Sequence, residues 1–154
     1  MSNARCQNEC EAWVRDHWLS REYGARFTER NVRLSSGGQF KFDAVSEDGA
    51  IVASISTSRA AMSSGKKGVG KLMKIRSDML FHTLAEPARH IMAFTEPCML
   101  ASCEAERARG RVPTQIEFVL APLPDELAAR LALSRDQSSK EVRPTLPMNS
   151  RDDG

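Results

Sequence analysis

Hydrophobic and polar residues recur with two different periods along the chain, and each change of period separates one predicted element from the next. In residues 7–23 the larger buried-type side chains recur at i, i+3, i+4, i+7 and i+8, namely at Cys10, Trp13, Val14, His17 and Trp18. This spacing aligns them on one face of an amphipathic helix, and Gly24 is a typical residue just after a helix end. The pattern therefore predicts an N-terminal helix over residues 7–23.

The next three segments favour β-strands, because their apolar residues follow a period of two. Residues 27–34 alternate weakly, whereas residues 39–46 alternate cleanly between apolar and polar positions. Residues 47–49 (Glu-Asp-Gly) contain the Asp-Gly pair that is typical of hairpins, and residues 50–58 form a third alternating segment. Together these segments predict an antiparallel three-stranded meander.

Helical and extended patterns then alternate to the end of the predicted domain. Helices are predicted over residues 71–84, over residues 98–109 and from Pro124 to about residue 133, and strands over residues 88–95 and 115–121. From residue 134 onward the chain is rich in Ser, Arg, Asp and Pro, which predicts a disordered C-terminal tail over residues 134–154.

This order of elements, α-β-β-β-α-β-α-β-α, indicates an α/β fold. A meander followed by crossover helices predicts a mixed sheet with helices on both faces. The chain has 154 residues, which suits one hydrophobic core, so we expect a single domain over residues 1–133.

Composition narrows the classes of protein without naming an activity. Hydrophobic residues make up 41% and charged residues 27%, as in an ordinary globular protein. No apolar run reaches the roughly 20 residues of a membrane span, and the N-terminus has no apolar signal-peptide segment. We therefore expect a cytoplasmic protein that does not bind membranes.

One constellation of residues resembles the PD-(D/E)xK, or restriction-endonuclease-like, nuclease superfamily over roughly residues 9–94. A helix, a three-stranded meander, a helix and a fourth strand form the core of that family. Asp43 in the segment Phe-Asp-Ala-Val resembles the family's strand aspartate, and Glu11 resembles its helical glutamate. In the third strand, Ser54 and Ser56 stand where the family has its acidic residue and its lysine. The resemblance thus implies a restriction-endonuclease-like fold with a degenerate motif.

The chemistry of that family depends on the residues that differ here. Carboxylates hold a hard divalent cation such as Mg²⁺, and the lysine positions or activates the attacking water. A serine hydroxyl is a weaker Mg²⁺ ligand than a carboxylate and carries no positive charge. Asp43 is therefore the candidate metal ligand, Glu11 the candidate partner carboxylate and Lys41 the candidate replacement lysine; Mg²⁺ is the expected cofactor if the site is active.

A basic segment lies inside a chain whose formal net charge is only +2. Residues 49–77 contain no acidic residue and hold six cationic ones, namely Arg59, Lys66, Lys67, Lys71, Lys74 and Arg76. Such a segment can bind the phosphate backbone of DNA or RNA, and binding of this kind weakens as salt rises. The same charges could equally form a solvated surface.

Three functional hypotheses follow from these patterns. The first is a nuclease-superfamily domain with a degenerate, inactive site that binds a nucleic-acid backbone through the basic segment. The second is an active Mg²⁺-dependent nuclease with migrated catalytic residues. The third is a structural or protein-interaction domain.

Overall fold

A computed structural model describes residues 2–60, 68–86 and 89–142 of the chain. The N-terminal helix consists of α1 (Ser2–Trp13), a π-helical segment (Val14–Leu19) and α2 (Ser20–Tyr23). The strands and helices that follow are β1 (Phe27–Arg33), β2 (Gln39–Ser46), β3 (Ile51–Ser56), α3 (Val69–Leu84), β4 (Arg89–Phe94), α4 (Pro97–Ala108), β5 (Ile116–Leu120) and α5 (Asp125–Val142).

The five strands in the described part of the chain form one mixed sheet in the order β1-β2-β3-β4-β5. The pairs β1–β2 and β2–β3 are antiparallel, whereas β3–β4 and β4–β5 are parallel. The predicted α/β class, with its three-stranded meander and mixed sheet, is therefore confirmed. Parallel pairing requires crossover connections, which α3 and α4 supply.

Helices cover both faces of the sheet. On one face, Val14 and Leu19 of the π-helical segment pack on Ala53 and Ile91 of the central strands. On the other face, Ile75 of α3 and residues of α4 pack on the side chains of β4 that point the opposite way, such as Met92 and Phe94. Strand residues therefore alternate between two cores, as the period of two requires.

The last helix is longer than its sequence pattern predicts. Helix α5 continues to Val142, whereas composition predicts a disordered tail from residue 134. Leu131 is fully buried against Cys6 and Cys10 of α1, and Ser134 is also buried. Packing against another helix thus stabilises a segment that lacks an apolar stripe of its own. Residues 143–154 of the predicted tail lie outside the described residues.

Candidate active site

A β-bulge in β2 contains Asp43. Thr28 lies opposite Val45, but Arg30 lies opposite Phe42, so two residues of β2 oppose one residue of β1. The extra residue brings Phe42 and Val45 to the same face of the sheet, where both join one buried cluster. β-Bulges re-aim side chains and occur frequently beside active sites. The bulge thus sets the direction of the Asp43 side chain.

The Asp43 carboxylate also ends the pairing between β2 and β3. The ladder pairs Val45 with Val52 and Ala44 with Ala53. Instead of continuing that ladder, the Ile55 N–H donates to Asp43 Oδ2 at 2.8 Å. Burial raises the pKa of Asp43, while this hydrogen bond opposes the rise. One carboxylate oxygen is therefore anchored to β3.

Glu11 of α1 approaches Asp43 from one face of the sheet. Burial, and then the negative charge of Asp43, raise the pKa of Glu11 to about 7. A carboxyl with this pKa exchanges its proton near neutral pH. The two acidic residues predicted from the sequence therefore belong to one electrostatic cluster.

Lys74 and Asp78 of α3 join this cluster from the other face. Lys74 Nζ lies 3.3 Å from Asp78 Oδ2, and the two residues are one helical turn apart. Asp78 is buried, which raises its pKa, and its charge in turn raises the pKa of Asp43. We call Glu11, Asp43, Lys74 and Asp78 the acidic cluster.

Asp78 was not identified from the sequence, and Lys74 was assigned only to the basic segment. A signal for Asp78 does exist, because it lies among the buried positions of α3, with Ile75, Met79 and His82. An acidic residue on the apolar face of a helix is unusual unless it is paired. Its partner, Lys74, keeps 72% of its side chain exposed while reaching that carboxylate.

Ser54 and Ser56 bond to groups outside the acidic cluster, and they have different environments. Ser54 is buried, and its Oγ lies 2.9 Å from His82 Nε2. His82 Nδ1 lies in turn 3.1 Å from His90 Nδ1. Ser56 Oγ accepts a hydrogen bond from the Ser58 N–H at 3.4 Å. We call Ser54, His82 and His90 the histidine chain.

The candidate replacement lysine, Lys41, forms an ion pair on the exposed part of the first two strands. Its Nζ lies 3.5 Å from Glu29 Oε1, and more than half of the Lys41 side chain is exposed. Lys74 is therefore better placed than Lys41 to act on Asp43, because its charge acts on the pKa of that carboxyl.

Several cations of the basic segment are already paired with carboxylates. Arg59 Nε lies 3.7 Å from Glu96, and Arg76 Nη2 lies 2.6 Å from Glu106. Lys74 is paired with Asp78, and Lys71 is exposed on the first turn of α3. Lys66 and Lys67 lie outside the described residues.

Arg15 connects the Asp43 bulge to an open pocket. Its Nη1 donates to the main-chain carbonyl of Asp43 at 3.3 Å. Arg15 also lines a pocket of about 330 Å³ between the π-helical segment and β1, together with Asp16, Ser20, Arg26, Phe27, Thr28 and Glu29. Solvent therefore reaches the molecule beside the bulge.

The donors of the acidic cluster are carboxylate oxygens, which suit Mg²⁺. Mg²⁺ in proteins usually takes one or two carboxylates and completes its octahedral shell with water and substrate phosphate. Among the described residues, no group of three His, Cys, Asp or Glu side chains is arranged to hold a metal ion. A cation held by these residues would therefore take one or two carboxylates and complete its shell with water and substrate.

Comparisons of the chain with protein-family models, with curated proteins and with solved structures gave no match. Within the described ranges, no helix combines the length and the apolar content needed to cross a membrane.

Proposed function

We propose that the chain is a restriction-endonuclease-like nuclease that hydrolyses phosphodiester bonds of DNA or RNA with a divalent cation such as Mg²⁺. Its reacting groups are the four residues of the acidic cluster. Lys74 of α3 replaces the lysine that is missing at Ser56, and Asp78 replaces the carboxylate that is missing at Ser54. This is the second of the three hypotheses drawn from the sequence, with the migrated residues now named.

The observation that carries this proposal is that one ammonium group acts on three carboxyls with raised pKa values. The charge of Lys74 lowers the pKa of Glu11, Asp43 and Asp78, against the larger effect of burial on each of them. These three residues come from α1, β2 and α3, which are distant in the sequence. Titratable groups with shifted pKa values that converge from separate elements are characteristic of functional sites.

The order of elements supports the same proposal. From α1 to β4 the chain runs helix, three-stranded meander, helix and parallel strand, as in the family that the sequence resembles. Asp43 lies on the second strand and Glu11 on the first helix, which are the positions that the resemblance implies.

Each residue of the acidic cluster receives a role from its environment. Asp43 and Asp78 would hold the cation, which when bound stabilises the negative charge developing on the phosphate. Glu11, with its pKa of about 7, accepts the proton that the attacking water loses. Lys74 holds Asp78 in an ion pair and stabilises the ionised form of each carboxyl of the cluster.

Binding through the basic segment alone has less support. Arg59, Lys74 and Arg76 each form an ion pair with a carboxylate, which reduces their attraction for phosphate. Net neutralisation of phosphate charge is what drives sequence-independent binding of nucleic acid. We therefore favour chemistry at the acidic cluster over binding by a degenerate site.

The test is cleavage of single- and double-stranded DNA and RNA by the full chain with Mg²⁺ or Mn²⁺. Asp43→Asn keeps an oxygen that can accept the Ile55 N–H but removes the charge, so we expect cleavage to fall about 100-fold or more. Lys74→Ala removes the ammonium and should produce a loss of similar size.

The matched control is Asp136→Asn, the same change at an exposed residue of α5. It should leave the rate unchanged, and circular dichroism should show all three variants folded. The proposal fails if the wild-type chain cleaves no nucleic acid with either metal, or if Asp43→Asn cleaves as fast as wild type. Salt-dependent binding without cleavage would favour the degenerate binding domain instead.

A further inference from the structure

One backbone irregularity contains Asp43, and a second lies in the helix that packs beside it. The N-terminal helix changes from α to π geometry over Val14–Leu19 and then returns to α geometry. In β2, the bulge inserts one extra residue at Asp43 and Ala44. Single-turn π segments within α-helices and bulges within strands both concentrate at functional sites, because each redirects the side chains around it.

One hydrogen bond joins the two irregularities. Arg15, the second residue of the π segment, donates from Nη1 to the carbonyl oxygen of Asp43 at 3.3 Å. The Arg15 side chain is 18% exposed, and its Nε lies 3.4 Å from Asp16 Oδ1. Its own carbonyl accepts a hydrogen bond from Ser20 Oγ at 3.4 Å, five residues ahead. Two nitrogens of the guanidinium, Nε and Nη1, therefore each have a partner.

The second anchor of Asp43 lies on its side chain. Arg15 fixes the main-chain carbonyl, while the Ile55 N–H fixes carboxylate atom Oδ2. A residue whose carbonyl and one carboxylate oxygen both accept hydrogen bonds has little freedom to rotate. The orientation of its other carboxylate oxygen, Oδ1, is therefore restricted as well. Fixing reacting groups in advance in this way is a large part of catalytic efficiency.

We propose that Arg15 is a positioning residue, whose guanidinium holds the bulged Asp43 so that its carboxylate stays aimed at Glu11, Lys74 and Asp78. This inference rests on the proposed nuclease function. Arg15 also lies four residues after Glu11, so the same helix carries the residue that holds Asp43 and the residue that exchanges the proton.

The first measurement does not depend on cleavage. In a ¹H–¹⁵N spectrum, Arg15→Ala should shift the Ile55 amide resonance and speed its hydrogen exchange about tenfold or more, because Asp43 Oδ2 loses its fixed position. Arg21→Ala, the same change at an exposed residue of α2, should leave that resonance where it is. An unmoved Ile55 amide in a folded Arg15→Ala protein would overturn the positioning role.

The second measurement is a double-mutant cycle on cleavage. Arg15→Ala should lower kcat about 10- to 100-fold with little change in KM, and the fall should disappear when Asp43 is already Asn. Arg15→Lys keeps a cation and a hydrogen-bond donor, so it should recover part of the rate. This variant replaces Arg15→Ala in the cycle if the alanine variant does not fold. Additive effects of Arg15→Ala and Asp43→Asn would overturn the inference. If the wild type proves inactive, the Ile55 amide still decides whether Arg15 holds Asp43.

Discussion

Asp43 of β2 and Ser54 of β3 lie on neighbouring strands. Burial shifts the pKa values of the titratable groups around these two residues in opposite directions. Around Asp43, burial raises the pKa values of three carboxyls: that of Glu11 to about 7, and those of Asp43 and Asp78 above their ordinary values. Around Ser54, burial, followed by the effect of His90, lowers the pKa of His82 to about 3. His82 is therefore neutral at neutral pH, whereas Glu11 changes charge there.

We interpret the histidine chain as a structural polar cluster and the acidic cluster as the site of the proposed function. In the histidine chain, Ser54 and His90 each lie within hydrogen-bond distance of a ring nitrogen of His82, whose side chain has no solvent access. Buried polar groups satisfied in this way specify a unique packing. In the acidic cluster, ionised carboxyls repel one another, and the neighbouring Lys74 is largely exposed. A bound cation would relieve this repulsion.

The largest change in stability is expected when His82, the central residue of the histidine chain, is replaced. His82→Ala should lower the free energy of unfolding by about 3 kcal/mol, because it leaves a cavity and takes a partner from Ser54 and His90. Urea denaturation at neutral pH measures this loss. Ser77→Ala, at an exposed position of the same helix, should change stability by less than about 0.5 kcal/mol. Equal stabilities for the two variants would contradict a structural role for the histidine chain.

A smaller effect is expected from acid. Because the pKa of His82 falls from 6.5 to about 3 on folding, its stabilising contribution is complete above 6.5 and declines as the pH falls below that value. The stability difference between wild type and His82→Gln, which cannot be protonated, should narrow by about 2 kcal/mol between about pH 8 and about pH 5. Unfolding curves at several pH values measure the difference, and a constant gap would be inconsistent with a buried neutral histidine.

The smallest effect has the opposite sign and belongs to the acidic cluster. Folding raises the pKa of Glu11 from 4.5 to about 7, so stability is lost as the pH rises through this window and Glu11 ionises. Glu11→Gln should therefore be more stable than wild type by about 1 kcal/mol at about pH 8, since partial solvent exposure reduces the effect, and the gain should vanish near pH 4. Glu22→Gln, at an exposed residue of α2, should show no such gain. A stabilisation that persists in acid would point to packing instead of charge.

Local periodicity was enough to predict most of the fold. The predicted strand over residues 39–46 coincides with β2, and the strand predicted over residues 88–95 contains β4. Period-two and helical patterns depend on which side of an element meets the core, so a window of about ten residues reveals them. The full length of α5 was not predicted from the sequence. Leu131 is buried by contacts with α1, and Ser134 is also buried, and such contacts leave no periodic pattern within α5.

The candidate site combines residues proposed from the sequence with residues found only in the structure. Glu11 and Asp43 were proposed from the resemblance to the nuclease superfamily, and they are electrostatically coupled in the structure. Ser56 bonds to Ser58, Lys41 pairs with Glu29, and Ser54 belongs to the histidine chain. The bulge at Asp43 escaped detection because it depends on the register between β1 and β2, which the alternation within β2 does not record.

The order of helices and strands and the mixed sheet follow from the period of side chains along each segment, whereas Glu11 and Asp43 were proposed only from the resemblance to the nuclease superfamily. Tertiary structure decided which charges meet. Lys74 and Asp78 reach Asp43 because the β3–α3–β4 crossover lays α3 on one face of the sheet, while α1 brings Glu11 to the other. Arg15 reaches the Asp43 carbonyl across 28 residues of sequence for the same reason. Electrostatic coupling depends on distance in space, and packing alone sets that distance.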